Sequence, residues 1–191
     1  MKAKLLLLLF LISTVGILAQ SYPLYMVRDL QFVPDSSLRA NIDRSPRTGD
    51  TVRVLGVANV RTVVDRNTDR RVIMWAGARW QNYLTDTSYA STEWNGINII
   101  QDDTTVSSSN IEGMDTARIF IVTGVVQEFG RQTQINVIKS IPIVQVGTKN
   151  IRRTPVEVNI SDFVAGTTPN ILTGEKFEGA YVVIRNVIST D

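Results

Sequence analysis

The chain has 191 residues, with 20 basic and 18 acidic side chains and neither cysteine nor histidine. These absences exclude disulfide staples, Cys-His and Ser-His-Asp catalysis, an imidazole base and ordinary zinc centres, so only carboxylate, Lys or Tyr chemistry is left. A chain of this length buries a sufficient core without cross-links, since one domain commonly takes about 100–200 residues.

Residues 1–19 have the layout of a secretory signal peptide. Lys2 and Lys4 precede the unbroken apolar run Leu5–Ile12, Ser13 and Gly16 interrupt it, and Ala19 stands before Gln20. The run is too short for the roughly 20 apolar residues of a bilayer span. Removing this leader takes away two lysines and no acid, which leaves 18 basic and 18 acidic side chains. A net charge of zero argues against bulk electrostatic grip on a polyanion. The charges are nevertheless blocked: Arg61–Arg79 is Arg-rich, Trp80–Asp115 is acidic without Lys or Arg, and Thr116–Pro155 is mostly basic.

In chain order, Tyr25–Val33 reads as a short strand or partial turn laying Leu30 and Phe32 on a core, and Asp35–Thr48 as a polar loop. Val52, Val54, Val57 and Val60 alternate loosely with Thr51, Arg53 and Asn59, which predicts a half-buried strand bent at Gly56. Asp65–Asp69 is a turn signal before Val72–Trp75, and Trp80–Leu84 is a short strand. Asn95-Gly96 turns the chain into a strand at Ile97–Ile100. Ala117–Phe129 is the strongest strand, with Gly124 at its middle, and Gly130-Arg131 returns it through Thr133–Ile138 as a hairpin. Ile141–Val146, Val156–Ile160 and Tyr181–Val187 are further apolar runs, and Ile160–Ala165 suits one helical turn capped by Ser161. Many short strands between turn residues, with no amphipathic helical stripe after the leader, predict an all-β barrel or sandwich.

Two long strands with a central glycine recur, in Gly49–Val57 and in Asp115–Ile135, and between them lie Trp-Gln-Asn-Tyr-Leu-Thr-Asp (80–86) and Trp-Asn-Gly-Ile-Asn-Ile (94–99). This order resembles the OB-fold domains of secreted bacterial proteins, including those that precede the catalytic part of extracellular nucleases. It is also similar to modules of exported Bacteroidetes and Ignavibacteria proteins, many of which carry a type IX sorting domain. The resemblance implies an OB-fold-like Greek-key barrel of about five to six strands with extra C-terminal strands. The organisation expected is a signal peptide at 1–19, an OB-like domain at 20–150, and at 151–191 a linker with the first strands of a second such unit. The Gly174–Gly179 segment with Tyr181–Val187 looks like the link into that unit. The loop Asp65–Arg71 departs from the pattern as an insertion, and the segment after Gln101 is short for the helix many such barrels place there.

On the strands that form the usual binding face of such barrels, Arg79, Trp80, Tyr83 and Trp94, with Arg131 in the hairpin turn, are the candidate ligand-binding residues. Aromatic rings there stack bases for about 1–3 kcal/mol each while Arg neutralises phosphate. The competing assignment is packing, and at zero net charge at least one of Trp80 and Trp94 is expected in the core. Asp86, Asp102, Asp103 and Glu112 lack the spacing of a calcium loop. Glu128, Glu175 and Glu178 sit in hairpin and linker contexts rather than as a catalytic pair. No catalytic residue, metal or cofactor is expected. The candidate partners are single-stranded nucleic acid, a glycan, and further domains of the same polypeptide. The expected function is a secreted, non-catalytic binding or spacer module of an extracellular or cell-surface protein, with a nuclease accessory or an adhesive carbohydrate-binding domain as alternatives.

Overall fold

Two strands carry the architecture of the computed structural model, which describes residues 21–60, 63–65, 70–72, 79–102, 109–185 and 187. The expected leader, most of the Asp65–Arg71 loop, the Ile73–Trp75 run and Asp103 lie outside the described residues. Strand β2 (Thr51–Ala58) turns Val52, Val54, Gly56 and Ala58 inward, and β7 (Arg118–Phe129) turns Phe120, Val122, Gly124 and Val126 inward. A period of two gives each strand one apolar face. The pair runs antiparallel from Thr51↔Val125 to Val57↔Ile119.

Strands β5 (Trp80–Thr85), β6 (Gly96–Gln101) and β8 (Gln132–Val137) complete the ring. Its order is β2–β5–β6–β8–β7 and back to β2, with β6 and β8 parallel and the other neighbours antiparallel. The fold is therefore mainly β, a closed mixed barrel of five strands with OB-like connectivity. β1 (Leu24–Met26) lies parallel to β2, and β9 (Val144–Thr148) lies antiparallel to β7. The connection from β2 to β5 carries a small hairpin, β3 (Val63–Asp65) with β4 (Arg70–Val72). Val52, Val54, Leu84, Ile97, Ile99, Val122, Val126 and Ile135 fill the barrel.

The chain before β2 differs from expectation. Val27–Gln31 forms a short helix, α1, and buries Leu30, while Phe32 is 45% exposed and lies on the rim rather than in the barrel. The stretch expected as polar loop begins with a second short helix, α2 (Asp35–Arg39), because Pro34 offers its carbonyl to the amides of Ser37 and Leu38. Leu38 supplies the apolar anchor, packing with Val33 and Trp94 in a small second core.

The C-terminal part folds back on the barrel. β10 (Val156–Val158) pairs in parallel with β13 (Val182–Ile184), and between them lie the hairpin β11 (Val164–Ala165) with β12 (Thr168–Pro169) and helix α3 (Ile171–Gly174). The helical turn at Ile160–Asp162 is capped by Asn159 rather than Ser161: the Asn159 N–H donates to the Asp162 carboxylate at 2.8 Å. The Trp94 N–H donates to the Lys176 carbonyl at 2.6 Å, and the Gly96 and Gly179 backbones pack face to face. A Cβ on Gly96 would collide with the Gly179 carbonyl, so the docking of this segment requires glycine there. Among the described residues no helix is long and apolar enough to cross a membrane.

Gly124 stands where β7 pairs with Val52 on one edge and Val137 on the other. A Cβ built there would overlap the Ile135 side chain and lie 2.5 Å from the Asn136 carbonyl oxygen. Gly124→Val is therefore expected to lose about 1–3 kcal/mol of stability by overpacking, whereas Ala165→Val on an exposed hairpin shifts it by no more than about 0.5 kcal/mol. Thermal denaturation checks this, and equal melting temperatures for the two variants would contradict it.

Candidate ligand groove on the outer face of the barrel

Alternation along β5, β6 and β8 sorts their side chains into two sets. Leu84, Ile97, Ile99, Ile135 and Val137 point inward. Gln81 and Tyr83 from β5, Asn98 and Ile100 from β6, and Gln132 and Gln134 from β8 line the opposite face. The register aligns them, since Tyr83 pairs with Asn98 and Asn98 with Gln134, so one row of polar side chains crosses three strands.

These side chains bond to one another. Gln81 Nε2 donates to the Tyr83 hydroxyl at 2.9 Å and to Asn98 Oδ1 at 3.0 Å. Asn98 Nδ2 donates to Gln132 Oε1 at 3.2 Å and to Gln134 Oε1 at 3.4 Å. The network holds each amide in place, which explains how Asn98 is almost fully buried without an energetic penalty for an unpaired group. Burial pushes the Tyr83 hydroxyl above its usual range, against a hydrogen bond with Gln132. The ring and hydroxyl of Tyr83 thus present a neutral surface at physiological pH.

Over this row lies a groove of about 250 Å³, lined also by Arg79, Phe129 and Gly130. The Arg79 guanidinium lies 5.3 Å from the Phe129 ring centroid and pairs with Asp102 at 3.0 Å. Asp102 also accepts from Asn136 Nδ2 at 2.8 Å. At the other end, across Tyr83 and Gln132, a second cavity of about 370 Å³ is walled by Asn59, Val60, Gly179, Ala180 and Tyr181. The folded-back C-terminal segment therefore supplies one wall of the groove.

The five residues singled out in the sequence separate here. Arg79 and Tyr83 line the groove. Trp80 lies on the opposite side of β5 from Tyr83 and packs against the main core, as its even spacing from Leu84 requires. Trp94 is 3% exposed under Phe32, Leu38 and Leu172, which leaves no ring face for a ligand. Arg131 bonds to Asp43 and, at 2.9 Å, to Asn41, so it braces the loop after α2 rather than facing the groove. The amides Gln81, Asn98, Gln132 and Gln134 were missed. Their signal is the alternation of Gln81 and Tyr83 on β5 and of Gln132, Gln134 and Asn136 on β8, with Asn98 alone on that face of β6, a pattern with no chemical flag of its own.

A carboxyl cluster gathers around Glu178, which directly precedes Gly179 of the cavity wall. Glu178 Oε1 accepts from the Thr133 N–H at 2.7 Å and from Gln31 Nε2 at 3.3 Å, while its buried Oε2 has no hydrogen-bond partner. Glu128 Oε1 accepts from the Thr133 hydroxyl at 2.7 Å and the Ser45 N–H at 2.9 Å. Burial, then the charge of Glu175, pushes Glu178 up to about 9, and burial with the charges of Asp43 and Glu128 pushes Glu175 up to about 7. The folding thus brings together three glutamates that stand apart in the sequence.

No family model matches the chain, and no curated protein matches it. Among solved structures, a putative aspartyl-tRNA synthetase from Leishmania major Friedlin is similar with a TM-score of 0.39 and 15% identity over 74% of this chain. The match spans only 23% of that protein.

Both raised carboxyls bind protons more tightly in the folded than in the unfolded state. The stabilisation contributed by these two groups is therefore fully present at low pH and is lost as pH rises from about 5 to about 9 through the two folded values. Glu178→Gln keeps an acceptor for the Thr133 N–H and removes the ionisation. Its melting temperature is expected to fall less steeply over that window than that of the parent, and parallel slopes would contradict the assignment.

Proposed function

We propose that this chain is an exported, non-catalytic OB-fold binding module of an extracellular or cell-surface protein, and that an oligomeric ligand lies along the groove across β5, β6 and β8. The observation that carries the reading is the pre-bonded row of Gln81, Tyr83, Asn98 and Gln134, which floors the groove outside a closed barrel, Gln81 and Tyr83 part-exposed and Asn98 and Gln134 nearly buried. Ordered amides offer donors and acceptors in fixed directions, and little side-chain entropy is left to lose on binding. Faces of this kind on OB barrels serve oligonucleotides and oligosaccharides. Export rests on the N-terminal residues 1–19 alone.

A second reading is an accessory domain of an extracellular nuclease. The Arg79–Phe129 pair favours it, because a cation beside an exposed ring suits a phosphate and its stacked base.

A glycan array and a dodecamer of deoxythymidine test the binding role. Tyr83→Ala and Gln134→Ala are expected to weaken whichever probe binds by at least about tenfold, the loss of one or two hydrogen bonds. Trp80→Ala should instead lower the melting temperature. Binding that is indifferent to both face variants would contradict the placement of the site. Secreted protein is expected to begin at Gln20 or within a residue or two, and a membrane-bound product retaining Met1 would contradict export.

A further inference from the structure

We infer that the ligand is an uncharged oligosaccharide, and that one of its sugar rings enters the cavity between Asn59, Tyr83, Gln132 and Tyr181. The inference rests on the groove being a binding site and adds the ligand's chemical class and the subsite that selects it.

Asn59 carries the first part of the case. It is 4% exposed, it lines the cavity, and its Nδ2 has no hydrogen-bond partner. An unsatisfied buried amide costs about 1–3 kcal/mol, so a fold that keeps one beside a cavity holds a donor in reserve. The terminal torsion of an asparagine is soft, and Nδ2 turns toward an acceptor in the cavity with little strain. A sugar hydroxyl or ring oxygen is such an acceptor. The backbone of Asn59 is meanwhile anchored, its N–H donating to the Tyr83 carbonyl at 2.9 Å.

The walls are the second part. Tyr83 and Tyr181 give the cavity aromatic surface, and Gln132 gives it an amide. Aromatic faces with a few directed polar groups suit a ring that is apolar on its faces and hydroxylated on its edge. A cavity of about 370 Å³ takes a ring of that size and leaves the rest of a chain to run over Asn98 and Gln134.

The charges decide against a phosphodiester. Arg79 is the one cation lining the groove among the described residues, and Asp102 neutralises it at 3.0 Å. Arg152 does not line the cavity, and its guanidinium is engaged over the Tyr181 ring, 5.0 Å from the centroid. Strand-binding proteins depend on a cationic track along the backbone, and this groove has amides where that track would run.

The test uses the chain from Gln20 onward, with isothermal titration against cellohexaose, mannohexaose, xylohexaose and chitohexaose and against a dodecamer of deoxythymidine, at low and high salt. One of the saccharides is expected to bind with an affinity that changes less than twofold with salt. Asn59→Leu, which removes an unpartnered donor, and Tyr181→Leu are each expected to weaken it by about tenfold or more, with circular dichroism reporting an intact fold. Saccharide binding unaffected by either variant overturns the subsite, and binding by none of the saccharides overturns the ligand class. Steeply salt-dependent binding of the oligonucleotide, lost in Tyr83→Ala, also overturns the inference while leaving the groove as the binding site. Binding of any probe that is indifferent to Tyr83→Ala and Gln134→Ala fails the groove reading itself.

Discussion

Closure of the barrel through the β2–β7 pair is the constraint on which the rest depends. Seven consecutive residue pairs join these strands, and the ring closes only because β7 then passes its other edge to β8 at Gly124. The side chain missing at Gly124 leaves room for Ile135 and the Asn136 carbonyl, and the one missing at Gly56 leaves room for Leu84 and Thr85. Strong coiling of a small barrel requires such approaches. Once the ring is closed, every side chain on β5, β6 and β8 is committed to the core or to the outer face. A one-residue slip would exchange the amide row for the apolar set.

The outer face is then built by two further contacts. Bonding among Gln81, Tyr83, Asn98 and Gln134 organises its centre. Docking of the C-terminal segment, through Trp94 to Lys176 and through Gly96 against Gly179, adds Tyr181 as a wall. The second contact carries an ionisation cost, because it places Glu175 and Glu178 among other carboxyls.

Much of the fold was legible in the sequence, because long β-branched strands with mid-strand glycines have a local signature. β2, β5, β6, β7 and β8 fall where alternation and turn residues put them. The helices at 27–31 and 35–39 were hidden, since five-residue helices show no full apolar period and depend on tertiary anchors such as Leu30 and Leu38. The site was legible only in part. Aromatic and basic residues attract notice as ligands, yet Trp80 and Trp94 are packing residues and Arg131 is a brace. Beside Arg79 and Tyr83 the groove is lined by the plain amides Gln81, Asn98, Gln132 and Gln134, whose role depends on register across three strands, including a parallel β6–β8 contact that no local pattern encodes.

The central claim is that the polar outer face of β5, β6 and β8, walled by Tyr181, is the ligand surface. Side-chain amide resonances of asparagine and glutamine, followed by NMR while the chain from Gln20 onward is titrated with the saccharide that binds, test it most directly. The account predicts that shifts concentrate on Asn59, Gln81, Asn98, Gln132 and Gln134. Shifts confined to Gln145 on the exposed β9 strand, with the groove amides unmoved, would contradict it.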